Sequence, residues 1–325
     1  MATIDWAEIR EQTLKDFTLA VLPPTLKLPS LPHAVTEFAQ ASNREGVSVK
    51  ELAGIVETDA GLTVELLKHV NSAFVGMRHK ATSVQPALSM LGLRPSRTLL
   101  MTAGMKAAVQ SRKSKLINQS CFWNASLQKA LFAKEVARLL NADVNLAFSG
   151  SLLQDYLLPV VTNELFEPYL RFVETRSDQP SGMWEFEQQT FGWDHAYAGA
   201  SLAHRWKLPD DLVCCILFHH MGLRILTDKV VGRSAVAAVA ISAMLPDQLR
   251  QNYQGLEQLA QLAEKWPAFN LQELTEKVDE QHRELAMGVR NDFPLSRRCR
   301  TILENSGAES HEAYNDGSLA TCASA

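Results

Sequence analysis

The sequence has no glycine-rich phosphate loop, no GxSxG elbow, no HExxH pair and no CxxC pair. Those absences remove P-loop nucleotide chemistry, α/β-hydrolase chemistry, zincin-type peptidase chemistry and cysteine-held zinc. Cysteine is scarce and odd in number, five residues at 121, 214, 215, 299 and 322. The neighbours Cys214 and Cys215 sit too close in the chain for ordinary disulfide geometry. Reduced thiols and a cytoplasmic location are therefore expected. The longest strongly apolar stretch, Ala235 to Leu245, is far short of the ~20 residues of a membrane span and reads as a buried helix. No charged leader followed by an apolar run is visible at the start, so no signal peptide is expected. Excess charge is lacking too: the formal net charge is -4, which argues against a nucleic-acid partner. The short basic run Arg112-Lys113-Ser114-Lys115 reads as a solvated turn.

Helical periodicity fills what remains, and strand alternation is absent. With 46% hydrophobic and 21% charged residues, a sizeable core is possible. Residues 4–20 predict an amphipathic leader helix carrying Trp6, Ile9, Leu14 and Phe17, broken by the prolines at 23, 24 and 29. Ser30 is expected to cap the next helix with Pro32 in its first turn, and Ser48 with Glu51 forms a capping box. Further helices are expected from Ala60 to Ser72, after Ser83 up to Gly92, and from Pro95 to about Gln110. A second block follows near Ser120, with helices over 121–140, 145–160, 184–191, 195–206 (Asp194 as N-cap) and 210–221, and a loop over 175–184. Three or four more follow residue 227, among them a polar-faced helix from Leu271 to Arg290. The low apolar content of residues 306–325 predicts a disordered tail.

With the motif classes above gone, chemistry rests on histidines and carboxylates. His33, His69, His79, His282 and His311 have no ligand-spaced companion and read as surface or locally hydrogen-bonded residues. His195, His204, His219 and His220 share the second block with Asp155 and Asp194. Two imidazoles and a carboxylate on adjacent helices could hold a hard or borderline cation. Neighbouring residues on an α-helix point about 100° apart, so only one of His219 and His220 is expected to face such a site.

Several spaced motifs carry a resemblance. Leu28-Pro29-Ser30-Leu31-Pro32 opens it, followed by Asp59-Ala60-Gly61-Leu62-Thr63, Val70-Asn71-Ser72-Ala73-Phe74, Ser83-Val84 and Leu91-Gly92-Leu93-Arg94. The second block adds Phe122-Trp123, Phe191-Gly192-Trp193-Asp194-His195, Gly199, Trp206-Lys207-Leu208-Pro209 and Phe218-His219-His220. From Leu28 to about His220 the chain resembles the HDOD domain, a bacterial regulatory module related to metal-dependent HD phosphohydrolases. The resemblance implies an all-α fold: an HD-like bundle over 116–225 packed against an N-terminal helical block over 23–115. Around it stand a leader helix (1–22), a helical extension (226–305) and the tail.

The departures from the parent HD pattern are specific. The first ligand position falls at Asn124-Ala125-Ser126, without an imidazole, and the His-Asp doublet aligns with Gln154-Asp155. Tyr156 stands where a small apolar residue is usual. Asp155, His195, His219 and His220 are then a vestigial cluster with lost positions at Ala125 and Gln154. A satisfied polar network is the expected state, with no catalytic residue, no metal and no cofactor. The resemblance implies a non-catalytic signalling module with a protein partner, no membrane, and a docking groove between its two blocks. It would act as a stand-alone output or adaptor, since no receiver or cyclic-dinucleotide enzyme segment is visible. Two alternatives compete. One is a divergent phosphohydrolase using Asp155, His195 and His219 or His220. The other is a nucleotide sensor using Arg94, Arg97, Lys106 and Arg205.

Overall fold

The structure, a computed structural model, describes residues 4–15, 17–71, 80–110, 114–175, 182–252, 254–285 and 293–306. Among these the chain forms 17 α-helices and no strand. In order they are α1 (Trp6–Leu14), α2 (His33–Ala41), α3 (Val49–Glu57), α4 (Ala60–Val70), α5 (Val84–Leu91) and α6 (Leu93–Gln110). The second block holds α7 (Gln119–Leu139), α8 (Val144–Leu153), α9 (Leu158–Glu164), α10 (Phe166–Thr175), α11 (Met183–Phe191), α12 (His195–Arg205) and α13 (Asp210–Leu217). The extension holds α14 (Ala235–Ser242), α15 (Gly255–Lys265), α16 (Leu271–Leu285) and α17 (Leu295–Ser306). Short 3-10 helices cover Leu19–Val21 and His219–Thr227. The disordered-tail and loop readings fall mostly, and the basic-turn reading half, on residues outside the described set, where His79 and His311 also lie.

The centre of the molecule is α7. Residues Ala130 to Ala137 are buried around its whole circumference, because α8, α14 and α16 pack on different sides of it. A helix apolar all round must be enclosed, and α14 (AVAAVAIS) is enclosed in the same way, every residue buried. The extension is thus part of the core, and its Phe269 packs edge-on against Phe132 of α7 at 6.0 Å. Its His282 is fully buried and bonds Asn124 of α7, Nε2 to Oδ1, at 2.6 Å. That overturns the expectation of a surface or locally bonded His282, since α16 lies against α7 where its lone polar ring finds a partner.

Local chemistry accounts for most boundaries. Ser48, Asp59 and Asp194 cap their helices by accepting from Glu51, Leu62 and Tyr197 backbone N–H groups at 3.1, 3.0 and 2.9 Å. Ser30 does not: α2 starts at His33, and Pro32 stands at its N-cap, its carbonyl accepting from the Thr36 N–H at 3.2 Å. The leader is shorter than the sequence predicts, with α1 ending at Leu14. The expected 145–160 helix is broken, because α8 stops at Leu153 and α9 starts only at Leu158. Pro159 sits in the first turn of α9, where its missing N–H costs nothing. Asn71 stitches α4 to the segment before α5, donating to the Ala81 carbonyl at 2.8 Å and accepting from its N–H at 2.7 Å.

The blocks are clamped by arginines. Arg94 reaches Asp211 at 2.5 Å, while Arg97 donates to Asn43 and to the Lys207 carbonyl at 2.5 and 2.8 Å. Lys106 lies over the Trp123 ring at 5.6 Å, and Arg205 is exposed elsewhere on α12. Arg94 and Arg97 thus share the seam near Asp211, while Lys106 and Arg205 lie elsewhere. Inside the second block α8 packs tightly against α13 at Gly150, where an added Cβ would lie 2.5 Å from Cys215 Cβ and 2.7 Å from its Sγ. Alanine normally favours a helix over glycine by about 1 kcal/mol, yet here overpacking costs about 1–3 kcal/mol. Gly150→Ala is therefore expected to lower the urea midpoint at unchanged slope.

Candidate functional site

The break between α8 and α9 creates the site. It leaves Gln154 and Asp155 on a turn under 5% exposed, aimed at three neighbours: α7, the start of α12, and the 3-10 helix after α13. Asp155 Oδ2 accepts from Lys129 Nζ of α7 at 3.2 Å and from Gln154 Nε2 at 3.0 Å. Its Oδ1 lies 3.4 Å from His195 Nε2 and 3.3 Å from His219 Nε2. Lys129 Nζ also donates to Asp247 Oδ2 at 2.7 Å, and Gln251 Nε2 donates to the same oxygen at 3.0 Å. Asp247 and Gln251 belong to the extension, which therefore completes the site.

A second buried carboxylate orients His195. Glu187 of α11 is fully buried and accepts from His195 Nδ1 at 2.7 Å, from the His195 backbone N–H at 2.9 Å and from the Tyr169 hydroxyl at 2.6 Å. Burial alone would depress the His195 pKa, but Glu187 and Asp155 more than offset it and lift it to about 10. His195 is then an imidazolium that can donate to His220 Nε2 at 3.1 Å. Burial, with the His219 and His195 rings beside it, holds His220 well below the usual histidine value, so His220 is the neutral acceptor. Burial would raise Asp155, yet Lys129 and the His195 hydrogen bond hold it well below the usual carboxylate range. Lys129 would likewise be lowered by burial, but Asp155 and Asp247 raise it above the ordinary value.

Both adjacent histidines face the cluster, contrary to the reading of one helix over 210–221. The α-helix ends at Leu217, and His219 and His220 open the 3-10 segment, which bends at Gly222 (φ 54°). Leaving α-helical geometry lets the two rings lie 3.8 Å apart, centroid to centroid. His219 Nδ1 donates to the Ile216 carbonyl at 2.6 Å. Its Nε2 points at Asp155 Oδ1, 3.3 Å away, and has no other hydrogen-bond partner. His204 is not part of the group; it accepts from Arg10 at 2.5 Å on the far side of α12. Asp194 serves as a helix cap and accepts from Gln188 at 2.8 Å.

The cluster forms the floor of a cleft of about 430 Å³. Trp184, Glu185, Arg224, Asn252, Gln254 and Gln258 line its walls, and Arg224 lies over the Trp184 ring at 6.0 Å. The cleft runs between the HD-like block and the extension, a different place from the expected groove between the N-terminal block and the HD-like block.

HD phosphohydrolases are metal enzymes, and the residues present fit one divalent ion. His195, His219 and His220 bring ligand atoms within 4.8 Å of one another. Two have Nδ1 tied to an oxygen, by Glu187 and the Ile216 carbonyl, the arrangement that points Nε2 at a metal. Asp155 Oδ1, 3.4 and 3.3 Å from the Nε2 atoms of His195 and His219, stands beside this trio. Two ions do not fit, because the second oxygen of Asp155 is taken by Lys129 and Gln154.

A model of the HDOD domain matches residues 28–221. The chain belongs to the HDOD family. An uncharacterised protein of Treponema pallidum (strain Nichols) is 28% identical over 217 residues, 66% of this chain. The chain spans only 41% of that relative's length. Among solved structures, an HDOD domain protein of unknown function from Geobacter sulfurreducens shares the fold at TM-score 0.57 and 23% identity, covering 96% of this chain and 99% of its own. A candidate phosphohydrolase from Shewanella amazonensis SB2B matches at TM-score 0.59 and 22% identity, covering 86% and 98%. At these identities the likeness concerns the fold. The family match ends at residue 221, so Asp247 and Gln251 lie beyond the matched residues of this HDOD chain.

Lys129, Glu187, Asp247 and Gln251 were not singled out from the sequence. Neither the lysine, one of several polar residues on α7, nor the acid and amide of the extension carried a local signal.

Proposed function

We propose that this HDOD chain is a regulatory module that works by binding, and that it does not hydrolyse phosphoesters through a two-metal centre. The observation carrying this reading is the saturation of Asp155. Two-metal hydrolysis needs a bridging ligand between ions about 3.5–4 Å apart. Here the oxygen that would face the second ion already holds an ammonium and a carboxamide. The binding surface in this reading is the cleft over the histidines, with Trp184 and Arg224 at its wall, and the output is a signalling protein partner. The expected outcome with bis(p-nitrophenyl) phosphate and Mn²⁺ is a rate equal to the metal blank. Turnover abolished by Asp155→Asn would overturn the proposal.

The alternative of a divergent hydrolase is favoured by the convergence of three imidazoles under an open cleft. A single ion bound by His195, His219 and His220, with Asp155 beside them, would supply Lewis acidity and a more acidic bound water. This chain's own residues would hold those rings in place: Glu187 and Tyr169 through His195, the Ile216 carbonyl through His219. The same phosphodiester assay separates the two readings.

A further inference from the structure

We infer that Lys129 is a built-in cation standing in the place of a divalent ion, and that removing its ammonium opens an oxygen-lined cation site between Asp155 and Asp247. The inference rests on the reading of Asp155 as saturated and extends it to what saturates it. The Lys129 side chain is 3% exposed, and its Nζ lies between two carboxylate oxygens at 3.2 and 2.7 Å, one from each side of the site. Bulk solvent scarcely reaches that charge.

Two independent features surround the ammonium. Beside it lies a space of about 20 Å³ with Lys129, Asp155 and Asp247 on its polar edge and Phe122, Ala125 and Leu158 among its apolar walls. That is room for one water, and it borders Ala125, the position lacking an imidazole. Around the carboxylates stand two carboxamides whose orientation is settled by their partners. Gln154 Nε2 and Gln251 Nε2 must be the donors, since each faces a carboxylate oxygen. Their carbonyl oxygens, Gln154 Oε1 and Gln251 Oε1, are buried without a hydrogen-bond partner. Rotation of either amide would turn a carbonyl oxygen toward the space the ammonium vacates.

Removing the lysine therefore leaves two carboxylates, two carboxamide oxygens and room for water. An all-oxygen set of this kind suits Mn²⁺ or Mg²⁺ and disfavours copper or zinc, which the imidazole side would select. The native lysine achieves by covalent attachment what a metal would achieve by binding: the charge is always present and independent of metal supply. Lys129 acts on the network by its charge and position, and not on a reacting atom.

The test is Mn²⁺ stoichiometry on the full chain, read by the electron-spin signal of free Mn²⁺, for wild type, Lys129→Ala and Lys129→Met. The expected result is one more ion per chain in Lys129→Ala than in wild type, whatever the wild-type count. The thermal midpoint of that variant should rise with Mn²⁺ by several degrees more than that of wild type. Adding Asp247→Asn should remove the extra ion. Should Lys129→Ala fail to fold without metal, refolding it or the stem-preserving Lys129→Met in Mn²⁺ is expected to return folded protein carrying the extra ion. Equal counts in folded wild type and both variants would overturn the inference, as would an extra ion that survives Asp247→Asn, or failure of both variants to fold with Mn²⁺ present. Phosphodiester turnover by wild type would count against the proposed function alone, because the stoichiometric difference does not depend on it.

Discussion

Replacing Lys129 by methionine in chelator-treated protein is expected to cost about 3–5 kcal/mol of folding stability, a large part of the ~5–15 kcal/mol a domain possesses. Methionine keeps the length of the stem, so little packing is lost. What is lost is the ammonium shared by Asp155 and Asp247, whose side chains are 5% and 9% exposed. A buried charge without its partner is far more costly than the pair is favourable. Neutralising all three groups together, Lys129→Met with Asp155→Asn and Asp247→Asn, is expected to recover most of the loss. Urea denaturation of the two proteins and wild type measures both quantities. A single variant as stable as wild type would mean that water reaches the carboxylates.

The second large effect is a pH dependence. His195 has its folded pKa raised to about 10, above the ~6.5 of an unfolded histidine. A raised value means the folded state holds the proton more tightly. The contribution to stability is then fully present below pH 6.5 and is lost as pH rises through about 10. Over that window metal-free wild type should lose about 3–5 kcal/mol, since each pH unit between the unfolded and folded values is worth about 1.4 kcal/mol. Glu187→Gln removes the carboxylate that raises the value while leaving an oxygen for the Tyr169 hydroxyl. In that variant the decline across pH 6.5–10 should shrink to a fraction, with lower stability at neutral pH. Stability measured by urea at several pH values decides it; parallel slopes for the two proteins would rule out Glu187 as the cause.

The all-α fold and most helices were legible because they follow from local rules. Ser48, Asp59 and Asp194 cap in the structure as their side chains dictate. Ser30 misled because proline at 32 can stand at the N-cap position itself, its carbonyl taking the first helical bond. The break at 154–157 and the 3-10 turn at His219 were not legible. The first depends on tertiary partners, since Lys129 and His195 hold the Asp155 carboxylate; in the second the His219 ring turns back on the Ile216 carbonyl three residues earlier, which no sequence pattern marks. The consequence was a misplaced geometry for the two histidines, which the α-helical 100° rule set apart and the actual turn brings together.

By itself the sequence determined the fold class, the family resemblance and the four residues Asp155, His195, His219 and His220, because capping, periodicity and motif spacing are properties of short stretches. Only the tertiary structure decided what those residues face. Lys129 lies 26 residues from Asp155 and 118 from Asp247 along the chain, and Glu187 reaches His195 across the turn between α11 and α12. Whether a buried carboxylate meets an ammonium, an imidazole or a metal is set by how helices pack, and packing sums many weak contacts that no local pattern encodes. The absent imidazoles at Ala125 and Gln154 were visible in the sequence; the lysine beside them acquired its meaning only when α7, the α8–α9 turn and the extension closed around it.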